Sequence, residues 1–317
     1  MHAERPDAGI CFLEYGYLFQ VHPRPMELSV LGMFHPAAPS AARAPDGLYW
    51  ARRGERELAA LDLASGRIVA SVRLAMRPYD HVIAANGKAY VTHHTLTREG
   101  FWISVVDTAN RSALEPIKGV EGLRCDIEAG ERCVYLCTME VGEPHTLRLY
   151  AIDTQRDEAQ TLFSEIPEGY DLRLAFNDGL LYICRTGPLQ GRDFAPIRVM
   201  DTASGRISVQ VPATRLEPIS RITGKMVFDR GYAYLPCAVS GNEPAIARLS
   251  LPDLEVDTVY RSERAVWRIL GLVEDRLIFI GPEQTERGDI SLVFYDLGEE
   301  REVKRISLVE FLKDTNR

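Results

Sequence analysis

The sequence predicts an all-β fold, a seven-bladed β-propeller of four-stranded antiparallel blades with the ring closed by the chain termini, and three observations predict it. A strand ending in Asp, or a degenerate version of it, recurs seven times along the chain. A tight turn followed by an aromatic-containing strand precedes each of the six later copies. Within both phrases apolar residues alternate, as in strands, and do not follow the 3.6-residue helical period.

The first phrase is clearest in Leu58–Asp62, Ile103–Asp107, Leu147–Asp153, Ile197–Asp201 and Ile290–Asp296. A degenerate copy puts Ser250 at the Asp position, and a weaker one puts His22 there. The reference positions are therefore 22, 62, 107, 153, 201, 250 and 296. Their spacing, roughly 40–50 residues, is that of a propeller blade. The 317 residues thus read as one repeat array, a single domain over residues 1–317.

The second phrase includes Asn86–Thr92, Ala129–Cys137, Asn177–Arg185 and Asp229–Cys237. Asn-Gly and Asp-Gly tolerate positive φ and close two-residue hairpins. Each blade then reads as four strands in chain order, with tight turns joining the first to the second and the third to the fourth. The copy at His22 lacks a first strand of its own. A closed ring removes exposed edges, so the C-terminal Leu308–Arg317 is expected to supply it, the alternative being that this segment forms a short helical turn.

The stretch Arg77–Thr108, with Arg77-Pro78, Asn86-Gly87-Lys88, Tyr90-Val91-Thr92 and Val106-Asp107-Thr108, resembles the YVTN-type propeller repeat. It is similar to the propeller class that includes amine dehydrogenase large subunits and lactonase-type proteins. The resemblance covers this stretch well and most of the chain loosely. It implies a scaffold subunit without cofactor chemistry, or a hydrolase acting at a channel mouth; unrelated functions share the scaffold.

Composition narrows the classes. Hydrophobic residues make up 46% and charged residues 26% of the chain, an ordinary globular balance that argues against disorder. The net charge of −8 argues against a general nucleic-acid binder. No apolar run approaches the roughly 18 residues of a membrane span. Met1–Gly9 lacks a charged-then-apolar signal pattern, which fits either a cytoplasmic protein or a mature one whose signal has been removed. Six cysteines are too sparse for a disulfide scaffold. Cys137 and Cys184 share one second-strand position with Thr92, and Cys237 follows one residue later, as expected of small residues packed between blades. Cys125 and Cys133 read as nearly opposite on paired strands, either bridged or as two reduced thiols.

The recurring Asp residues open the turn between third and fourth strands, where a carboxylate accepts backbone N–H groups. Spread over five blades, they are read as structural. Function is expected instead at the other end of the blades. There the connections between second and third strands are long, and binding residues concentrate on loops held by a rigid scaffold.

Beside those loops the first strands begin with polar residues. Aligned by their hairpins, these give a candidate ligand-binding set of Tyr79, His81, Arg124, Asp126, Asp171, Arg173, Lys225 and Arg268. Arginine and lysine gathered at a concave mouth favour an anionic small molecule or an acidic protein partner; the blander alternative is that they pair with Asp126 and Asp171. In the hydrolase or lyase alternative His81 is the general base, with Arg124, Arg173 or Lys225 stabilising negative charge. Otherwise no catalytic residue is indicated. Neither a cofactor nor a metal is expected: no GxGxxG, P-loop, HExxH or GxSxG pattern occurs. His93 and His94 are adjacent and so point to opposite sides of an extended segment.

Overall fold

The computed structural model describes residues 10–315 apart from 15–16, 34–40, 45–46, 53–55, 63–66, 75–80, 94–100, 141–145, 166–171, 190–194 and 284–288. The fold is an all-β propeller of four-stranded antiparallel blades. Six such blades follow one another, over residues 41–73, 82–120, 123–165, 172–211, 219–261 and 268–307. Two are elaborated. In the 82–120 blade the last strand is split into Ser112–Ala113 and Ile117–Val120, both paired with Phe101–Asp107. In the 219–261 blade the first strand is split into Ile219–Ile222 and Val227–Asp229, both paired with Tyr232–Val239.

The copy at His22 departs from the expected seven complete blades. Ile10–Glu14, Tyr17–His22 and Glu27–Met33 pair in that order, and His22 ends the middle strand as the repeat requires. Among the described residues no fourth strand joins this sheet. The C-terminal segment does not supply one, because Leu308–Thr315 is an α-helix. Its start has a local cause. Ser307 and Glu310 stand at the spacing of a capping box, and the Glu310 N–H lies 3.4 Å from Ser307 Oγ. Leu308, Phe311 and Leu312 recur at helical spacing, and Leu308 is fully buried.

Contacts divide the chain into two compact units, Met1–His22 with Glu27–Tyr170, and Pro23–Met26 with Asp171–Arg317. Within each, buried residues between successive blades form the core. In the second unit Tyr182, Cys184 and Ile197 of one blade pack with Leu235, Cys237 and Ala247 of the next. Each such aliphatic or aromatic side chain contributes about 1.5–3 kcal/mol on burial.

The hairpins follow the expected chemistry. Asn86 and Gly87 have φ of 49° and 74°, and Asp178 and Gly179 repeat this at 47° and 74°, as the type I′ turn requires. The recurring Asp residues are structural, as read. Asp107 Oδ1 accepts the Asn110 N–H at 2.8 Å, Asp153 Oδ1 accepts those of Gln155 and Arg156, and Asp201 Oδ1 accepts that of Ser204. The following threonine adds a second tie. Thr108, Thr154 and Thr202 donate their hydroxyls to the carbonyls of Gly87, Arg132 and Gly179, joining the two turns of one blade.

The second-strand cysteines also pack as expected. Cys137, Cys184 and Cys237 are free and buried, and Thr92 is buried at the shared position. At Gly281 of the last blade a Cβ would sit 2.3 Å from the Ala265 carbonyl oxygen, so only glycine fits. The proposed opposition of Cys125 and Cys133 is corrected. Asp126, next to Cys125, pairs with Cys137, while the Cys133 carbonyl accepts the Gly130 N–H at the hairpin end. Cys133 is a free thiol.

Candidate functional site

The candidate residues sit where the first strands of the blades begin, and the two units are described in turn. In the first unit His81 directly precedes the strand Val82–Ala85. Its carbonyl accepts the Thr92 N–H at 3.0 Å and the Thr92 hydroxyl at 3.4 Å, and the residue is half-buried. The neighbouring first strand, Leu123–Ala129, packs beside Val82–Ala85 and carries Arg124 and Asp126. A register shift between Arg124 and Asp126 inserts one residue at the strand start, as a bulge does where a side chain must be re-aimed. Asp126 is buried. The Arg124 side chain, and Tyr79 altogether, lie outside the described residues.

His93, one position beyond the second strand Lys88–Thr92, is fully buried, with Nε2 2.7 Å from Ser104 Oγ. It is a core residue satisfied by a local hydrogen bond, not a loop histidine facing water. Among the described residues no group of three His, Cys, Asp or Glu side chains could hold a metal ion.

In the second unit Arg173 lies on the strand Leu172–Asn177, half-buried, and its Nη1 donates to the Leu172 carbonyl at 3.2 Å. Asp171 lies outside the described residues. Lys225 lies not at a strand start, as the hairpin alignment predicts, but in the break between Ile219–Ile222 and Val227–Asp229. That break brings it towards the next blade: a Cβ on Gly224 would stand 3.2 Å from the Trp267 carbonyl oxygen. Trp267 in turn donates its N–H to the Ile280 carbonyl at 3.0 Å, and Arg268 opens the last blade. The segments carrying Lys225 and Arg268 are therefore neighbours.

Sequence reasoning missed Trp267. Its side chain is 48% exposed, while the preceding Val266 is buried and anchors the segment. Arg221 and Arg268 are also exposed, and Lys225 is half-buried. The available signal was a tryptophan next to Arg268 at a point where a strand enters the sheet. Of the long connections at this end, residues 94–100, 141–145, 190–194 and 284–288 lie outside the described residues. The described one, between Val239 and Pro244, is a short turn over Ser240–Asn242 with Gly241 at positive φ.

At the opposite, turn end hydrogen bonds favour the ionised form of the recurring aspartates. The Asn110 amide groups hold Asp107 below the usual carboxylate value, and the Arg156 and Gln155 N–H groups do the same for Asp153. Burial raises Tyr90 and Tyr182, and it pushes the Cys237 thiol up to about 12.

The arrangement defines the class: this chain is a β-propeller protein. Solved structures agree at the level of fold. A computationally designed protein, Ika8, superposes with a TM-score of 0.60 at 9% identity over 95% of this chain and 87% of its own. BamB from Moraxella catarrhalis gives 0.54 at 13% identity over 95% and 83%. A chain of a mitotic checkpoint complex gives 0.58 at 12% identity over 87% and 83%. Neither a protein-family model nor a curated protein sequence matches the chain. At such identities the likeness is one of fold alone.

Proposed function

We propose that the protein is a single non-enzymatic propeller domain, residues 1–317, that binds an acidic segment of a protein partner where the first strands begin. The observation that carries this reading is Trp267, 48% exposed beside Arg268, with Lys225 and Arg221 on the adjoining segment. Tryptophan and arginine are the residues most enriched among binding hot spots. An exposed indole on a rigid strand start costs little conformational entropy to immobilise, and the cations beside it select negative charge. In a chain of net charge −8 such a cluster does not follow from composition. Asp171 and Arg173 of the same unit, and separately Tyr79, His81, Arg124 and Asp126 of the other unit, are proposed as further binding residues.

The test is binding of a fluorescent peptide of alternating Glu and Phe, read by anisotropy. Saturable binding is expected, weakened about tenfold by Trp267→Ala or Arg268→Glu and falling with added salt. Stability should stay within about 0.5 kcal/mol, as for surface substitutions generally. Equal binding by the variants, or no binding of the peptide by the intact protein, overturns the reading. Binding of small anions in place of the peptide, lost in the same variants, would reassign the site to a metabolite.

A further inference from the structure

At the opposite end of the Arg268–Val273 strand one blade breaks the repeat. In four blades the second-strand tyrosine faces a small apolar residue on the third strand: Tyr49 with Ala60, Tyr90 with Val105, Tyr135 with Ala151 and Tyr182 with Val199. Two of these hydroxyls cross to a turn of the following blade, Tyr49 to the Thr108 carbonyl at 3.0 Å and Tyr90 to Asp157 Oδ1 at 3.1 Å. In the 219–261 blade the tyrosine is Tyr234, and its partner is Arg248. Facing the turn of the following blade at Leu297 and Gly298 there is a cavity of about 260 Å³. Ligand pockets start near this size, at about 300 Å³.

Arg248 lines the cavity and is held by its neighbours. Its guanidinium carbon lies 4.7 Å from the Tyr232 ring centroid and 5.8 Å from that of Tyr260. Nε donates to Asp257 Oδ2 at 2.7 Å, and Nη2 donates to Thr258 Oγ1 at 3.1 Å. One edge of the fork is thus occupied by a carboxylate and Tyr234 is a further hydrogen-bond partner; with five N–H donors, a guanidinium can still serve an occupant of the cavity. The lining is mixed, with Tyr232, Leu272 and Leu297 supplying apolar surface and Asp229, Arg230 and Asp275 charge. At the mouth Arg230 spans Asp229 and Asp275 at 3.5 and 3.6 Å. Those pairs are exposed and weak, so the mouth opens at little cost.

We propose that this cavity binds a small monocarboxylate with a planar or apolar body. The carboxylate bonds end-on to the planar Arg248 fork, and the body lies against Tyr232, Leu272 and Leu297. A single charge fits, because Asp257 already offsets part of the guanidinium field and the mouth aspartates repel a dianion. A guanidinium where the other blades place Ala or Val is the kind of local departure that functional sites show. This site is separate from the surface around Trp267 and does not depend on it.

The test is titration of the intact protein with benzoate, phenylacetate, neutral benzamide and phenyl phosphate, followed by NMR. The two carboxylates should bind saturably below about 10 mM, with benzamide and phenyl phosphate about tenfold weaker or worse. Arg248→Val places the apolar residue of the other blades and should fold while losing binding. Leu297→Trp leaves Arg248 in place, fills the cavity and should also abolish binding. Absence of carboxylate binding to the intact protein overturns the proposal. So does benzamide binding equally well, or binding that survives both substitutions.

Discussion

Asp153 shows how a single side chain serves the repeat. Its carboxylate accepts two backbone N–H groups, and the Thr154 hydroxyl ties the same turn to the Arg132 carbonyl. The Arg156 and Gln155 N–H groups favour the ionised form and hold Asp153 below 3.8. The sign of the pH effect follows by linkage. A carboxylate with a depressed folded value adds stability above its unfolded value, and that stability is lost as pH falls through the folded one. Asp153→Ala should therefore be less stable than the parent at pH 7, with the difference shrinking below pH 3.8 until it vanishes. Urea unfolding at both ends of that range measures it. A constant difference across the range would remove the carboxylate from the explanation.

At the scale of elements, the strands were legible because alternation and Asn-Gly turns act locally. The C-terminal segment takes the helical alternative and not the closing strand, as Ser307, Glu310 and the apolar spacing of Leu308, Phe311 and Leu312 favour. Leu308 is fully buried and the helix packs on the last two strands, Ile290–Asp296 and Arg301–Ser307. Leu308→Ala should cost about 2–5 kcal/mol in urea unfolding. A cost below about 0.5 kcal/mol, the level of a surface substitution, would mean the helix is not docked. Two features escaped the sequence reading. The break at Thr223–Met226 and the Arg248 cavity depend on how one blade meets the next, and a within-blade alignment does not contain that relation.

Over the whole molecule, the small second-strand residues report global packing. Cys137 and Cys184 lie in different units, and both are fully buried, as is Cys237 to within 1%. The Cys237 thiol, raised to about 12 by burial, stays protonated at pH 8 and is a poor nucleophile. Native protein treated with iodoacetamide at pH 8 should keep all three unmodified, and denaturant should expose them together with unfolding, as mass spectrometry of digests would show. Rapid native labelling would mean the blades open locally. The distant likeness to other propellers, at 9–13% identity, has the same basis: burial pattern and turn chemistry suffice for the scaffold, and little else need be shared.

The sequence alone determined the four-stranded antiparallel blade, its hairpins, the structural role of Asp107, Asp153 and Asp201, and the burial of Cys137, Cys184 and Cys237. All of these depend on residues a few positions apart or on a period repeated along the chain. Only the tertiary structure decided that six blades are complete among the described residues and that Cys125 and Cys133 are out of register. It also decided that His93 is buried, that Trp267 stands exposed beside Arg268, and that Arg248 opens a cavity. Each of these depends on contact between strands or blades far apart in sequence, where packing chooses among partners that local pattern leaves equivalent.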